Sequence, residues 1–280
     1  MNRCLPDRSG WLIAPSLLML TLVFFVPLVW FFINTLLIDS APAALPGVFL
    51  QVLESRPMRF AMATTLWVSI VVTAVTLVIG YPIAFFLANR SGWRFSLVIF
   101  CVVVPYFTSV IVRTYSWMVI LGRNGIINQV LIGSGLIDAP LPLLYNPFGI
   151  VVGMVYVLLP YMVLTLYATM KGIDPGLIRA ARALGASPVY VFRRVYFPLS
   201  LDGVVSGALI VTILAIGFFI TPALMGGPGD VTIAMLIERS IEIMIDWQTA
   251  AVMSLVLLGV TMVLYAIYSR VADIQRMLGA

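Results

Sequence analysis

The chain has 280 residues, of which 62% are hydrophobic and only 10% charged, with a mean hydropathy of +1.12. An ordinary soluble domain is about 45–50% apolar and about 25% charged, so a soluble fold is excluded and lipid must be the solvent for most of the chain. No histidine is present, which removes the commonest general base and metal ligand, and two cysteines, Cys4 and Cys101, are too few for a disulfide framework or a four-ligand zinc site.

A membrane-crossing helix needs about 20 apolar residues. The uncharged stretches predict six spans, over residues 11–38, 62–88, 95–119, 147–170, 203–225 and 247–269. The first follows Arg3 and Arg8 and precedes Ala41-Pro42-Ala43, as a signal peptide would. Its uncharged length far exceeds a signal core of about 7–15 residues, so it reads as a retained span. The second carries Gly80-Tyr81-Pro82 near its inner end. In the third, Pro105 falls about 15 Å from Phe95 and Arg113 about 27 Å from it, at a rise of about 1.5 Å per residue. Pro105 is thereby placed near the midplane. Arg113 is placed near the outer interface, to snorkel to headgroups or to pair with an outer acid, with a contact to the substrate as the less favoured reading. The uncharged run 124–137 is short and glycine-rich and reads as surface or re-entrant structure.

Pro160 lies mid-depth in the fourth span, and Thr221-Pro222 near the outer end of the fifth. Each proline frees a backbone carbonyl, and hydroxyls stand close by on Tyr106, Thr108, Tyr156 and Tyr161. This suits either a kinked, partly hydrated pathway or ordinary membrane packing, in which proline and glycine are common. The pairs Gly149/Gly153 and Gly203/Gly207 read as close helix contacts inside the bundle. Residues 225–230, Met-Gly-Gly-Pro-Gly-Asp, must turn. The following run, 231–245, is too short to span and predicts a helix with Glu238, Arg239 and Glu242 on its polar side. It is either a cover over an outer vestibule or an interfacial helix.

With the N-terminus inside, the charges sort by side. Eleven cations and four acids fall inside, net +7: Arg3, Arg8, Arg90, Arg94, Lys171, Arg179, Arg182, Arg193, Arg194, Arg270 and Arg276 against Asp7, Asp174, Asp202 and Asp273. Outside are Arg56, Arg59, Arg123 and Arg239 against Asp39, Glu54, Asp138, Asp230, Glu238, Glu242 and Asp246, net −3. This is the positive-inside pattern and places both termini in the cytoplasm. The basic residues are dispersed, so the net charge of +5 is a topology signal and calls for no nucleic-acid partner.

The chemistry of a self-powered machine is absent from the sequence. There is no G-x-x-x-x-G-K-[ST] to cradle phosphates and no G-x-S-x-G nucleophile. No span contains an acid or histidine for ion coupling, which disfavours a secondary transporter, a channel with charged sites or an intramembrane hydrolase. The chain reads as a conduit whose energy arrives through a protein contact, without a metal or cofactor of its own.

The longest inner loop, 171–202, is organised for such a contact. Asp174 is a good N-cap and Pro175 a good first helical residue, and the helix should run to Leu184 and stop at Gly185. Leu177, Ala180, Ala181 and Leu184 share one face; Arg179 and Arg182 share the other. Ser187-Pro188 starts a second short helix over 189–195, which Pro198 is expected to end. Two short helices at a crook form a knob, either to enter a groove on a partner or to lie on anionic headgroups.

In this loop, Ala180-Ala181, Gly185, Val195, Phe197 and Pro198 resemble the pattern E-A-A-x3-G-x9-I-x-L-P of binding-protein-dependent ABC importer permeases. Arg179 stands where the pattern has glutamate. The resemblance continues through 80–88 (Gly-Tyr-Pro-Ile-Ala-Phe-Phe-Leu-Ala), Val104-Pro105-Tyr106, 111–117, 121–128, 158–164 and 221–228, and is strongest to the first permease of spermidine/putrescine-type importers. It implies an all-α integral membrane fold of the six-helix type I kind, in a bacterial inner membrane. It implies a second homologous permease, two ATPase subunits that bind ATP and magnesium, and a soluble substrate-binding protein. It assigns Arg179, Ala180, Ala181, Arg182, Gly185, Ala186, Ser187 and Pro188 to the segment that couples to the ATPase. Polyamines are the best substrate guess; relatives of this subgroup also carry opines, amino acids or aminoalkylphosphonates. Aromatic faces and carboxylates hold ammonium groups, so Tyr106, Trp117, Tyr156, Tyr161, Glu238 and Asp246 are the candidate pathway residues.

Overall fold

The computed structural model describes residues 9–38 and 45–279, with side chains described over 14–36 and 46–270. Arg3, Cys4, Asp7, Arg8, Asp39 and the 41–43 segment lie outside the described residues, as do the side chains of Asp273 and Arg276. Among the described residues every regular element is a helix. In order these are α1 Ser9–Leu20, α2 Val26–Ile33, α3 Leu45–Glu54, α4 Arg56–Asn89, α5 Trp93–Val103, α6 Val110–Leu121 and α7 Ile126–Gly133. There follow α8 Pro147–Lys171, α9 Pro175–Ala183, α10 Pro188–Val191, α11 Phe197–Ile216, α12 Ile220–Met225, α13 Ile233–Glu242 and α14 Trp247–Gly279.

Among the described residues, five helical stretches are long and apolar enough to cross a membrane: Ala14–Leu36, Arg56–Asn89, Pro147–Lys171, Pro188–Ile216 and Trp247–Arg270. A sixth crossing forms only if the pair Trp93–Phe107 and Val110–Gly133, bent by 107°, is counted as one. The bend falls where Pro105 closes a tight turn over Val104–Phe107 and Thr108 is extended. A proline cannot donate to the preceding turn, and the chain leaves helical geometry there. Pro82 and Pro160, by contrast, lie inside the continuous helices α4 and α8.

The chain divides into two compact units, Met1–Ser55 with Ile237–Leu255, and Arg56–Leu236 with Val256–Ala280. In the second unit α4, α8 and α11 bury a common core that includes Val72, Ala84, Ile150, Met154, Met162 and Val211. Small residues set the approach of α8 and α11. A Cβ on Gly203 would sit 2.8 Å from Thr169 Cβ, and one on Gly207 2.8 Å from Met162 Sδ. Gly153 is tighter still, with Thr221 Cγ2 2.6 Å from a notional Cβ. Hydroxyls tie α4 to α11: Thr73 with Thr212 and Tyr81 with Ser200, both at 2.9 Å. In apolar surroundings such pairs satisfy groups that have no water to turn to.

The 225–230 segment turns as its glycines demand: Gly227 N–H donates to Asp230 Oδ2 at 2.9 Å, and a Cβ on Gly227 would lie 2.5 Å from the Tyr145 carbonyl oxygen. The Ile233 N–H that opens α13 donates to Thr65 Oγ1 of α4 at 2.9 Å. In the first unit, Phe31 meets the ring of Trp247 edge-on at 6.2 Å, and α14 starts on an Asp246 cap that accepts the Thr249 N–H at 3.0 Å.

Candidate functional site

The knob at 174–196 is built from local signals. Asp174 Oδ1 accepts the Gly176 N–H at 2.8 Å, with Pro175 as the first helical residue. Such a cap contributes about 1 kcal/mol. At the other end Gly185 N–H donates to the Arg182 carbonyl at 3.0 Å and Ala186 N–H to Ala181 at 3.2 Å. Those two bonds define a Schellman stop, which requires the left-handed conformation that Gly185 adopts at φ +84°. Ser187 then caps α10, accepting the Tyr190 N–H at 3.3 Å, with Pro188 as its first residue.

The second helix of the knob does not end at Pro198. Helix α10 passes through a wide turn over Phe192–Tyr196, in which Phe197 N–H reaches back five residues to the Phe192 carbonyl, and continues into α11. That widened turn takes up the space conflict a proline normally creates one turn upstream, so helix 188–216 is continuous. The second helix of the knob thereby runs on into a membrane span, the two together about 43 Å long at about 1.5 Å per residue.

Ile178 anchors the knob onto the core, while Leu184, Val189 and Tyr190 stand exposed, Leu184 at 88%. Beside them Ala181, Leu184, Gly185, Ala186, Ser187 and Tyr190 line a hollow of about 630 Å³. Arg179 and Arg182 are both exposed along the same helix. An apolar tip with a basic flank, held at a fixed crook, is the shape of a docking element.

The candidate pathway residues gather only in part. Tyr106 meets Tyr161 with ring centroids 5.5 Å apart, and Trp117 meets Tyr156 at 5.6 Å. Both pairs join the bent segment around α6 to α8. Glu238 and Asp246 belong to the other compact unit. Partial desolvation, and then the neighbouring Glu242, push the Glu238 carboxyl above its usual value, while Arg239 opposes the shift. Asp246 serves as the cap of α14 and borders a cavity of about 340 Å³ with Gln51 and Thr249.

Arg113 does not snorkel outward. It is buried, 7% exposed, and its Nε and Nη1 have no hydrogen-bond partner among the described residues. A distance counted along a straight span misplaced it, because α6 begins only after the 107° bend. The neighbouring Thr114 hydroxyl shares a hydrogen bond of 3.0 Å with Thr221, which fixes α6 against α12.

A set of apolar spans carrying an exposed helix–turn–helix knob, with a polar cluster at a broken span, is the architecture of a membrane permease. The chain belongs to the family described as binding-protein-dependent transport system inner membrane component, whose profile matches residues 80–276. It is a multi-pass protein of the inner membrane with the all-α fold of type I ABC importer permeases. The spermidine/putrescine transport system permease protein PotB of Escherichia coli (strain K12) is 34% identical over 76% of this chain and 78% of its own length. The putative 2-aminoethylphosphonate transport system permease protein PhnU of Salmonella typhimurium (strain LT2) is 25% identical over 94% of this chain and 92% of its own. Among solved structures, a bacterial ABC transporter for the import of alginate matches with a TM-score of 0.72 at 17% identity, over 95% of this chain and 96% of that one. The MetNI methionine ABC transporter matches at 0.58 and 20%, over 79% and 99%.

Proposed function

We propose that this chain forms half of the translocation pathway of an ATP-driven importer for a small amine-bearing solute, with polyamines as the first candidates. The knob enters a groove on an ATPase subunit. ATP and magnesium are bound there, not on this chain, which itself catalyses nothing. Two ATPase subunits, a second homologous permease and a soluble binding protein complete the assembly. The net +7 of the knob-bearing side puts the knob and both termini in the cytoplasm.

The observation that carries this reading is the continuous helix from the exposed knob into a span, Pro188–Ile216. A rotation imposed on the docked tip passes into the membrane without a hinge. The similarity to PotB supports polyamines. The aromatic pairs Tyr106–Tyr161 and Trp117–Tyr156 are surfaces on which ammonium groups rest, each contact worth roughly 0.5–2 kcal/mol. A second reading, a solute bearing an amine and an oxyanion, is favoured by the unpartnered Arg113 and by the similarity to PhnU. The test is ATP turnover by the reconstituted complex with its binding protein. Putrescine or spermidine stimulates it on the first reading, and 2-aminoethylphosphonate on the second.

A further inference from the structure

Arg113 poses a physical problem that the chain alone does not solve. A guanidinium stays charged at any physiological pH, so it cannot escape burial by losing its proton as a lysine does. Burying it with two nitrogens unpartnered is among the most costly arrangements a membrane protein holds, and such residues mark functional sites.

Its surroundings describe what is missing. Arg113 is the fourth residue of α6, and a helical side chain leans back toward the N-terminus, over the first turn. That first turn has no side-chain cap, because Ser109 provides none. Its free N–H groups and the positive end of the helix therefore face the bend after Thr108. Across the bend, the rings of Tyr106 and Tyr161 meet with centroids 5.5 Å apart. A guanidinium and a bare helix N-terminus share one complement, an oxyanion. A broken span presenting a half-helix N-terminus is a membrane form of the helix-terminus anion site. The Thr114–Thr221 bond keeps α6, and with it Arg113, from swinging away.

We propose that Arg113, with the first turn of α6, forms an oxyanion-binding site inside the membrane. Its ligand is a carboxylate or phosphonate group, carried either by the transported solute or by an acidic side chain of the neighbouring permease. The solute as its source rests on the second reading above; the neighbouring permease as its source is compatible with either reading.

The test compares wild type with Arg113→Lys, Arg113→Gln and Arg113→Met in the complete permease complex. Thermal melting is followed with 2-aminoethylphosphonate, acetate or putrescine as probes, together with the dissociation constant of the permease pair. If the solute supplies the anion, 2-aminoethylphosphonate raises the melting temperature of wild type and putrescine does not. In that case Arg113→Gln binds the probe at least tenfold more weakly. If the neighbouring permease supplies it, neither 2-aminoethylphosphonate nor acetate shifts melting, Arg113→Gln weakens pairing at least tenfold, and Arg113→Lys retains most of it. The methionine variant keeps the apolar length and removes the charge, so it guards against a mere folding defect. If Arg113→Met inserts, pairs and responds to every probe as wild type does, the proposal is overturned.

Discussion

Gly185 offers the sharpest perturbation of the knob, because its penalty is purely conformational. Its φ of +84° closes the Schellman stop, and a Cβ built on it meets nothing within 4 Å. An alanine there causes no clash, but an L residue in the left-handed region costs about 1–2 kcal/mol. At about 1.4 kcal/mol per factor of ten, the docking-ready turn should lose about 5–30-fold in population. Asparagine tolerates this conformation and should cost least, while a β-branched valine is a genuine outlier there and should cost most. The assay is the dissociation constant of the ATPase subunit for the solubilised permease pair, with membrane insertion as control. Affinity should fall in the order Gly, Asn, Ala, Val while insertion stays constant. Equal affinities across the series would refute the claim that this turn presents the docking surface. Loss of insertion together with affinity would also refute it, because the knob would then be part of the folding core.

Leu184 is 88% exposed, so Leu184→Ala should leave thermal stability unchanged yet weaken ATPase docking by about tenfold, the effect of withdrawing roughly 1.5 kcal/mol of burial. Arg179→Glu, which restores the residue of the family pattern, should leave insertion unchanged and alter docking in a salt-dependent way, read by binding at low and high ionic strength. Gly203→Val places side-chain atoms where Thr169 already approaches to 2.8 Å, and should lower the melting temperature through overpacking of about 1–3 kcal/mol. Glu238 titrates above the usual carboxylate value, because desolvation and Glu242 disfavour its charge. The stabilisation from its protonation is present at low pH and lost as pH rises through the raised value. If Glu238 attracts a cationic solute, uptake should fall on acidification beginning above the normal carboxylate range, and Glu238→Gln should flatten that limb of the pH profile.

How far the sequence could be read depended on whether a signal was local. The knob was legible almost residue by residue, because Asp174-Pro175, Gly185 and Ser187-Pro188 act on backbone groups within a few positions of themselves. The close approach of α8 and α11 followed from the spacing of Gly203 and Gly207 for the same reason. Pro198 misled because its usual effect is a clash with the preceding turn, and that turn is widened over Phe192–Tyr196. No propensity of Pro198 itself reports a change of helical register upstream. Arg113 misled because a rise per residue gives depth only along a straight helix, and the chain turns through 107° just before it. Pro105 was the available sign, since the same proline that suggested a kink also invalidated the ruler. The partnering of Arg113 was beyond the sequence, because an orphaned guanidinium is visible only once every neighbouring acceptor has a position.

The central claim is that this chain conducts solute only when a separate ATPase drives its knob. The direct test is uptake of labelled putrescine, spermidine and 2-aminoethylphosphonate into liposomes holding the permease pair, with binding protein outside and ATP inside, with and without the ATPase subunit. Uptake of at least one solute should require both the ATPase subunit and hydrolysable ATP, and should fall with Gly185→Val. Uptake at the same rate without the ATPase subunit would contradict the claim.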